Sequence, residues 1–317
     1  MQRTLMAALA LLAGGAATAQ EVTAYGGALR VREADEMTFS VGASYSHPLS
    51  EHFALSLSYL NEGHPLEHHR DGVASQLWVR TGYNKPGWSF GAGAGRYYFF
   101  DTTDLHSPSG RRYTNDHGWA TIVSLQATYH YPDSRWYNQV QINRITPDSK
   151  DATTALMLGV GYQFNGVKGD KLHLVDATTD ESVSLMGGRG IRNSLRSEGS
   201  TIAALEYRRA VGRYVDWTVT AIDEGNAPQS KRNGVATQLW LIRSLSQKVE
   251  LGMGAGWYFN AKVPDGNQAR SHKAGLVSVA TRYHLDKHVV GTVNFGRVVT
   301  DYHRDADLLL VGIGYSF

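Results

Sequence analysis

The stretch Arg70-Asp-Gly-Val-Ala-Ser-Gln-Leu-Trp78 returns later in the chain as Arg232-Asn-Gly-Val-Ala-Thr-Gln-Leu-Trp240. The flanks repeat in the same order. Asn61-Glu62-Gly63 answers Asp223-Glu224-Gly225, and Gly91-Ala-Gly-Ala-Gly95 answers Gly252-Met-Gly-Ala-Gly256. Both copies close alike, on Gly159-Val-Gly-Tyr-Gln-Phe164 and Gly312-Ile-Gly-Tyr-Ser-Phe317. Four matches in register mark a tandem duplication, and the repeated stretch says what the unit is made of. Val73, Leu77 and Val79 fall on one side of a two-residue period, while Gln76, Trp78 and Arg80 fall on the other. That is the alternation of a β-strand with one apolar and one polar face.

Working outward, alternating runs of roughly nine to twelve residues separated by turn residues predict eight strands in each copy. In the first copy they include Val22–Arg32, Gly72–Tyr83, Trp88–Phe100 and Trp119–Tyr131. The connections alternate in length. Asn84–Gly87, Pro132–Arg135, Ser246–Gln247 and Asp286–Lys287 are short, whereas 61–71, 101–118, 225–233 and 261–273 are long. Short turns at one end and long loops at the other are expected of a bacterial outer-membrane barrel.

Residues 1–19 predict a secretory signal peptide: Arg3, the apolar run Leu5 to Leu12, then Ala17-Thr18-Ala19 before Gln20. The expected organisation is therefore a signal peptide at 1–19, a first repeat at 20–164, a linker at 165–181 and a second repeat at 182–317. With no Cys, disulfides are excluded. A net charge of +2 without a basic block argues against nucleic acid as a partner. After the leader, no run reaches the ~18–20 apolar residues of a membrane helix, a test that membrane strands escape.

On the last strand Leu309, Val311, Ile313, Tyr315 and Phe317 share the apolar face, and aromatic residues such as Tyr45, Trp88, Tyr98, Tyr129, Trp136 and Trp217 gather toward strand ends. Rings with a polar edge prefer membrane interfaces, so these are expected to form girdles. The ending Val311-Gly-Ile-Gly-Tyr-Ser-Phe317 resembles the C-terminal strand of Gram-negative outer-membrane β-barrel proteins. That resemblance implies location in the cell outer membrane beside lipopolysaccharide. It also implies that Tyr315 and Phe317 serve as an assembly signal for the barrel-assembly machinery. The fold expected is an all-β antiparallel transmembrane β-barrel of about sixteen strands. A single sixteen-stranded barrel is preferred over two eight-stranded ones, although Phe164 ends the first copy as Phe317 ends the second.

Candidate functional residues follow from the inward face and the loop side. Gln76, Arg80, Gln126, Gln139 and Gln141 in the first copy, and Glu206, Arg208, Gln238 and Arg282 in the second, are expected inside. Such a lining suits a passive channel or export pore for small hydrophilic solutes or saccharides, or a sealed polar network. Glu62, Arg70, Glu224 and Arg232 are expected at the extracellular rim, as loop-holding ion pairs or as a ligand-contacting ring. His64, His68 and His69, beside Asp71, offer weak candidates for a metal. The loop 101–118 carries Asp101, Asp104, His106, Arg111, Arg112, Asp116 and His117, without hydrolase order or calcium-loop spacing. No catalytic pair and no cofactor motif is found. Competing readings are a lipid- or lipopolysaccharide-modifying enzyme and a structural or surface-receptor barrel binding through its loops. Arg96 falls on the outward face near the outer interface and is expected to contact lipopolysaccharide phosphate.

Deleting Phe317 should lower the heat-modifiable, folded fraction recovered in outer membranes. Assembly of the truncated chain at the normal level and rate would overturn the assembly-signal reading.

Overall fold

The computed structural model describes residues 20–32, 35–64, 68–82, 86–107, 110–148, 150–164, 181–193, 199–212, 214–225, 232–260 and 273–317. The expected signal peptide and nearly all of the expected linker lie outside these residues, as do the side chains of His106, Arg111 and Arg112. The first unit contains β1 (Gln20–Val31), β2 (Glu36–Pro48), β3 (Phe53–Asn61), β4 (His68–Arg80), β5 (Gly87–Ser107), β6 (Gly110–His130), β7 (Trp136–Pro147) and β8 (Thr153–Phe164). The second contains β9 (Glu181–Arg192), β10 (Gly199–Gly212), β11 (Val215–Asp223), β12 (Asn233–Ser244), β13 (Val249–Asn260), β14 (Lys273–His284), β15 (Val289–Val299) and β16 (Ala306–Ser316).

The expected single barrel of sixteen strands is not formed: the chain makes two closed eight-stranded barrels. A single ring would need β8 beside β9. Instead β8 pairs with β1 in an unbroken antiparallel ladder from Gln20↔Phe164 to Val31↔Thr153. Likewise β9 pairs with β16, from Ser182↔Ser316 to Arg192↔Ala306. The reason lies in the bulk of the inward side chains. A ring of about eight strands has an interior just wide enough for side chains to fill. Trp78, 2% exposed, packs on the site of Gly93, and Trp240, 1% exposed, packs on that of Gly254. Each copy thus fills its own ring. In a wider ring these indoles would face water.

The outward residues are apolar. Leu77, Leu125, Leu158, Leu185, Val311 and Ile313 are each half or more exposed. A contiguous apolar wall of this kind is foreign to a water-soluble monomer and suited to lipid. Aromatic rings bound it on the first barrel. At the short-turn end Trp88 packs 5.2 Å from Tyr129 and Trp136 packs 5.1 Å from Tyr162. At the loop end Tyr98 lies 5.0 Å from Trp119. Trp88 and Tyr98 stand ten residues apart on β5. At ~3.3 Å per residue and a tilt of ~40°, that spans about 25 Å of height, the thickness of an outer-membrane apolar band.

The expected loop 101–118 is also corrected. Pairing of β5 with β6 continues past Phe100↔His117 as far as Ser107↔Gly110. Its polar composition signals the end of the lipid contact, not of the ladder. Asn115 Nδ2 donates to Thr102 Oγ1 at 2.9 Å, showing how polar pairs support a strand that has left the apolar band.

A Cβ added at Gly93 would sit 2.5 Å from the Trp78 ring, and one at Gly254 would sit 2.6 Å from that of Trp240. Gly93→Ala and Gly254→Ala should therefore each cost about 1–3 kcal/mol through overpacking, read as lower urea midpoints in detergent micelles. Gly26→Ala, whose added Cβ meets nothing within 4 Å, should leave the midpoint unchanged.

Candidate functional site

The inward face of the first barrel is layered. Nearest the short turns, Arg80 NH1 donates to Glu21 Oε2 at 2.7 Å and Arg80 NH2 donates to Ser46 Oγ at 2.9 Å. Glu21 Oε1 also accepts from Gln163 Nε2 at 3.1 Å. Above this pair runs a ladder of amides. Gln139 Nε2 donates to Gln126 and Gln141, both at 2.9 Å, and Gln141 Nε2 donates to Asn143 at 2.6 Å. Gln76 Nε2 donates to Ser124 Oγ at 2.9 Å, and Ser124 Oγ donates to Asn143 at 2.6 Å. A cavity here, lined by Glu21, Tyr25, Ser58, Trp78, Arg80 and Gln139 among others, admits only about 10 Å³ of water centres, room for about one molecule.

Toward the loops the filling becomes apolar, with Leu29, Leu60, Tyr97, Ile122, Ile145 and Met157 buried together. Over this layer sits an ion pair that the chain itself positions. Asn61 Oδ1 accepts from Gly63 N at 2.8 Å, and Gly63 takes a φ of 73°, open to glycine at little cost. The turn so formed lets Glu62 N donate to Arg70 O at 2.8 Å. Glu62 then points inward, where both its oxygens accept from Arg70 at 2.8 and 2.9 Å. Arg70 also donates to Asp151 O at 3.2 Å and to Thr153 Oγ1 at 3.4 Å on the β8 side. In an eight-stranded ring β4 and β8 are opposite walls. The guanidinium therefore spans the lumen.

The second barrel repeats the cap. Asp223 Oδ1 accepts from Gly225 N at 2.9 Å, Arg232 Nε donates to Glu224 Oε2 at 3.0 Å, and Arg232 NH1 reaches Arg304 O at 2.8 Å across the ring. Below it Ile202, Leu276, Leu308 and Leu310 form the apolar layer, which explains why Leu308 and Leu310 interrupt the polar face of the last strand. Gln238 Nε2 donates to Ser278 Oγ at 3.1 Å. Near the short turns charges replace the amide ladder. Arg208 lies 3.2 Å from Glu206 and 3.3 Å from Asp216, and Arg282 lies 3.3 Å from Glu250. Arg282 NH2 also donates to Ser182 Oγ at 3.3 Å, and Arg208 covers the Trp240 ring at 4.7 Å.

All nine residues expected inside are buried on the inward face, and each hydrogen-bonds to another inward side chain. The four rim residues form the two caps. Glu21 joins the site from just outside the expected strand Val22–Arg32, on the same inward face as Thr23 and Tyr25. Two of the three histidines meet, and the third turns away to other partners. His68 Nδ1 sits 3.2 Å from Asp101 and 3.0 Å from Thr103 Oγ1, while the His64 and His69 rings meet at 4.5 Å with their planes tilted by 36°. Among the described residues no group of three metal-ligating side chains forms. Lys150 joins this extramembrane cluster, 3.3 Å from Asp101 and 3.0 Å from Asp116. Burial would raise the Asp101 carboxyl, but the His68 hydrogen bond and the Lys150 charge outweigh it and hold the pKa below the ordinary value. Burial would lower Lys150, and its carboxylate partners outweigh that too, so its pKa is raised. Arg96 faces outward and is exposed. Tyr315 is exposed beside His288 at 5.3 Å, and Phe317 N donates to Glu181 O at 3.0 Å.

No protein-family model matches the chain, and no curated protein is significantly similar to it. Solved structures are. They are outer-membrane β-barrel proteins of Gram-negative bacteria. The N-terminal β-barrel domain of Pseudomonas aeruginosa OprF is 18% identical with a TM-score of 0.36, covering 46% of this chain and 98% of that one. Neisserial surface protein A is 12% identical with a TM-score of 0.37, covering 48% of this chain and 99% of that one. The Ralstonia pickettii toluene transporter TbuX is 7% identical with a TM-score of 0.27, covering 96% of this chain and 90% of that one.

Arg70→Met leaves Glu62 charged and buried without its partner and should cost about 3–5 kcal/mol, measured by urea unfolding in micelles. Glu62→Leu combined with Arg70→Met removes both charges and should recover most of that loss. A double variant as unstable as the single one would mean that the cap acts otherwise than as an ion pair.

Proposed function

We propose that the chain is an outer-membrane protein of a Gram-negative bacterium, exported by its N-terminal leader. Its two sealed barrels anchor and present their loop ends at the cell surface. The role is structural or receptor-like. The observation that carries this reading is the bridging of opposite walls by buried side chains, Arg70 to Thr153 in one barrel and Arg232 to Arg304 in the other. A hydrated saccharide entering either lumen would have to break a buried ion pair and then cross an apolar layer. Both steps are costly in a low-dielectric interior. The inward Gln, Arg and Glu side chains support the same reading, since they hydrogen-bond to buried neighbours. The apolar wall and its aromatic girdles support the membrane location.

Purified protein in planar bilayers should show no steady conductance step, and proteoliposomes should not swell in small sugars. A reproducible open level in wild type would overturn the sealed-barrel reading and restore the channel.

A further inference from the structure

We propose that Arg96 and Arg144, set at one height on the lipid face of the first barrel, bind the phosphates of a phosphorylated glycolipid in the outer leaflet. The inference rests on the outer-membrane reading above.

Strand arithmetic places the two guanidiniums. Arg96 stands eight residues beyond Trp88 on β5, and Arg144 stands eight residues beyond Trp136 on β7. Both strands run from the short-turn end toward the loops, and both tryptophans belong to the girdle at that end. Eight residues at ~3.3 Å and a tilt of ~40° raise each arginine about 20 Å, roughly 5 Å below the loop-side edge of a ~25 Å band. Register places them side by side. Thr121 of β6 pairs with Arg96 and with Thr146, whereas Val123 pairs with Ala94 and with Arg144. The two arginines thus flank one short piece of β6. Two strand spacings and a two-residue offset separate their Cα atoms by about 12 Å.

Among the described residues no carboxylate pairs with either of them. The outward partners beside Arg96 are Ser75 and Thr121, and those beside Arg144 are Val123 and Thr154. Arg96 NH1 donates to Thr121 Oγ1 at 3.3 Å and its guanidinium lies 5.8 Å from the Trp119 ring, contacts that orient the group without cancelling its charge. By contrast Arg30, exposed near the loop end of β1, pairs with Asp35. A guanidinium is always charged and presents a planar fork that matches phosphate oxygens. At this depth, against lipid, the available anion is a headgroup phosphate. Two arginines whose Cα atoms stand about 12 Å apart, with the hydroxyls of Thr121, Thr146 and Thr154 around them, suit a headgroup carrying two phosphates separated by sugar. A phospholipid with a single phosphate would engage one arginine and leave the other.

The test uses the full chain folded into phosphatidylcholine vesicles, with and without lipopolysaccharide, and with lipopolysaccharide stripped of its phosphates. Wild type is compared with Arg96→Gln, Arg144→Gln and the double variant. Arg30→Gln serves as control, because its guanidinium already holds Asp35. Glycolipid retained on the protein by native mass spectrometry should fall about tenfold in the double variant, the loss expected for charge-assisted hydrogen bonds. It should fall equally when the phosphates are removed, and stay unchanged in the control. Equal retention by wild type and the double variant, or undiminished retention of the stripped lipid, would overturn the proposal while leaving membrane insertion intact. Failure of wild type to insert into phosphatidylcholine at all would overturn the membrane reading itself. Inorganic pyrophosphate stabilising wild type as well as lipopolysaccharide does would assign the site to free anions and overturn the lipid assignment.

Discussion

Width is the constraint on which the rest of each barrel depends. A closed ring of eight strands leaves an interior just wide enough for side chains to fill. Inward polar residues therefore find partners on their own strand or across the ring. Arg70 illustrates the consequence: it reaches from β4 to the β8 side and meets a carboxylate, a carbonyl and a hydroxyl within hydrogen-bond distance. A buried guanidinium is tolerable only when so surrounded. The glycine turn that aims Glu62 inward is thus as much a part of the barrel's packing as of its loop.

Given that width, the two copies solve the same problem with different chemistry. Each has an arginine–glutamate cap over an apolar layer and an indole docked on a glycine, and in each the indole nitrogen donates to a hydroxyl, Ser56 at 2.8 Å or Thr218 at 2.9 Å. Nearer the short turns they diverge. The first copy sets a single Arg80–Glu21 pair under a run of amides, which donate and accept and so can chain. The second uses two arginines, two glutamates and an aspartate, plus His284 3.2 Å from Glu250. Amide chains are insensitive to charge, while an ion cluster holds together only if its signs stay balanced. The two barrels agree in the parts whose geometry is set by ring width, and differ where any self-satisfying polar set would serve.

The outward wall obeys a different solvent. Apolar residues face lipid, rings mark its edges, and the hairpin of β5 and β6 climbs past the loop-side ring on polar pairs of its own. Arg96 and Arg144 break the apolar pattern at a depth where the local cost is small, about 0–1 kcal/mol against ~2–4 at mid-membrane. Position along the strand decides whether an outward arginine is tolerated, which is why the breaks occur one step inside the girdle and not lower.

Much of this was legible in the chain. Period-two alternation identified the strands. The repeat at Arg70–Trp78 exposed the duplication, and parity assigned Gln76, Arg80, Gln126 and Gln238 to the inside. The Glu62–Arg70 pairing was legible as well, since both residues flank one turn and the second copy repeats them. These properties are local, read from spacing along one or two strands. How many strands close a ring is not local. Phe164 could have lain beside β9 or beside Gln20 with the same alternation, and backbone hydrogen bonds alone favour neither. The choice fell to packing between residues far apart in sequence, Trp78 against Gly93, Arg80 against Glu21 and Arg70 against Thr153. Whether polar inward side chains line water or bind one another was equally undetermined by alternation, which sorts residues by face but not by partner. Tertiary structure decided both questions, because only a closed ring fixes the distance across its own lumen.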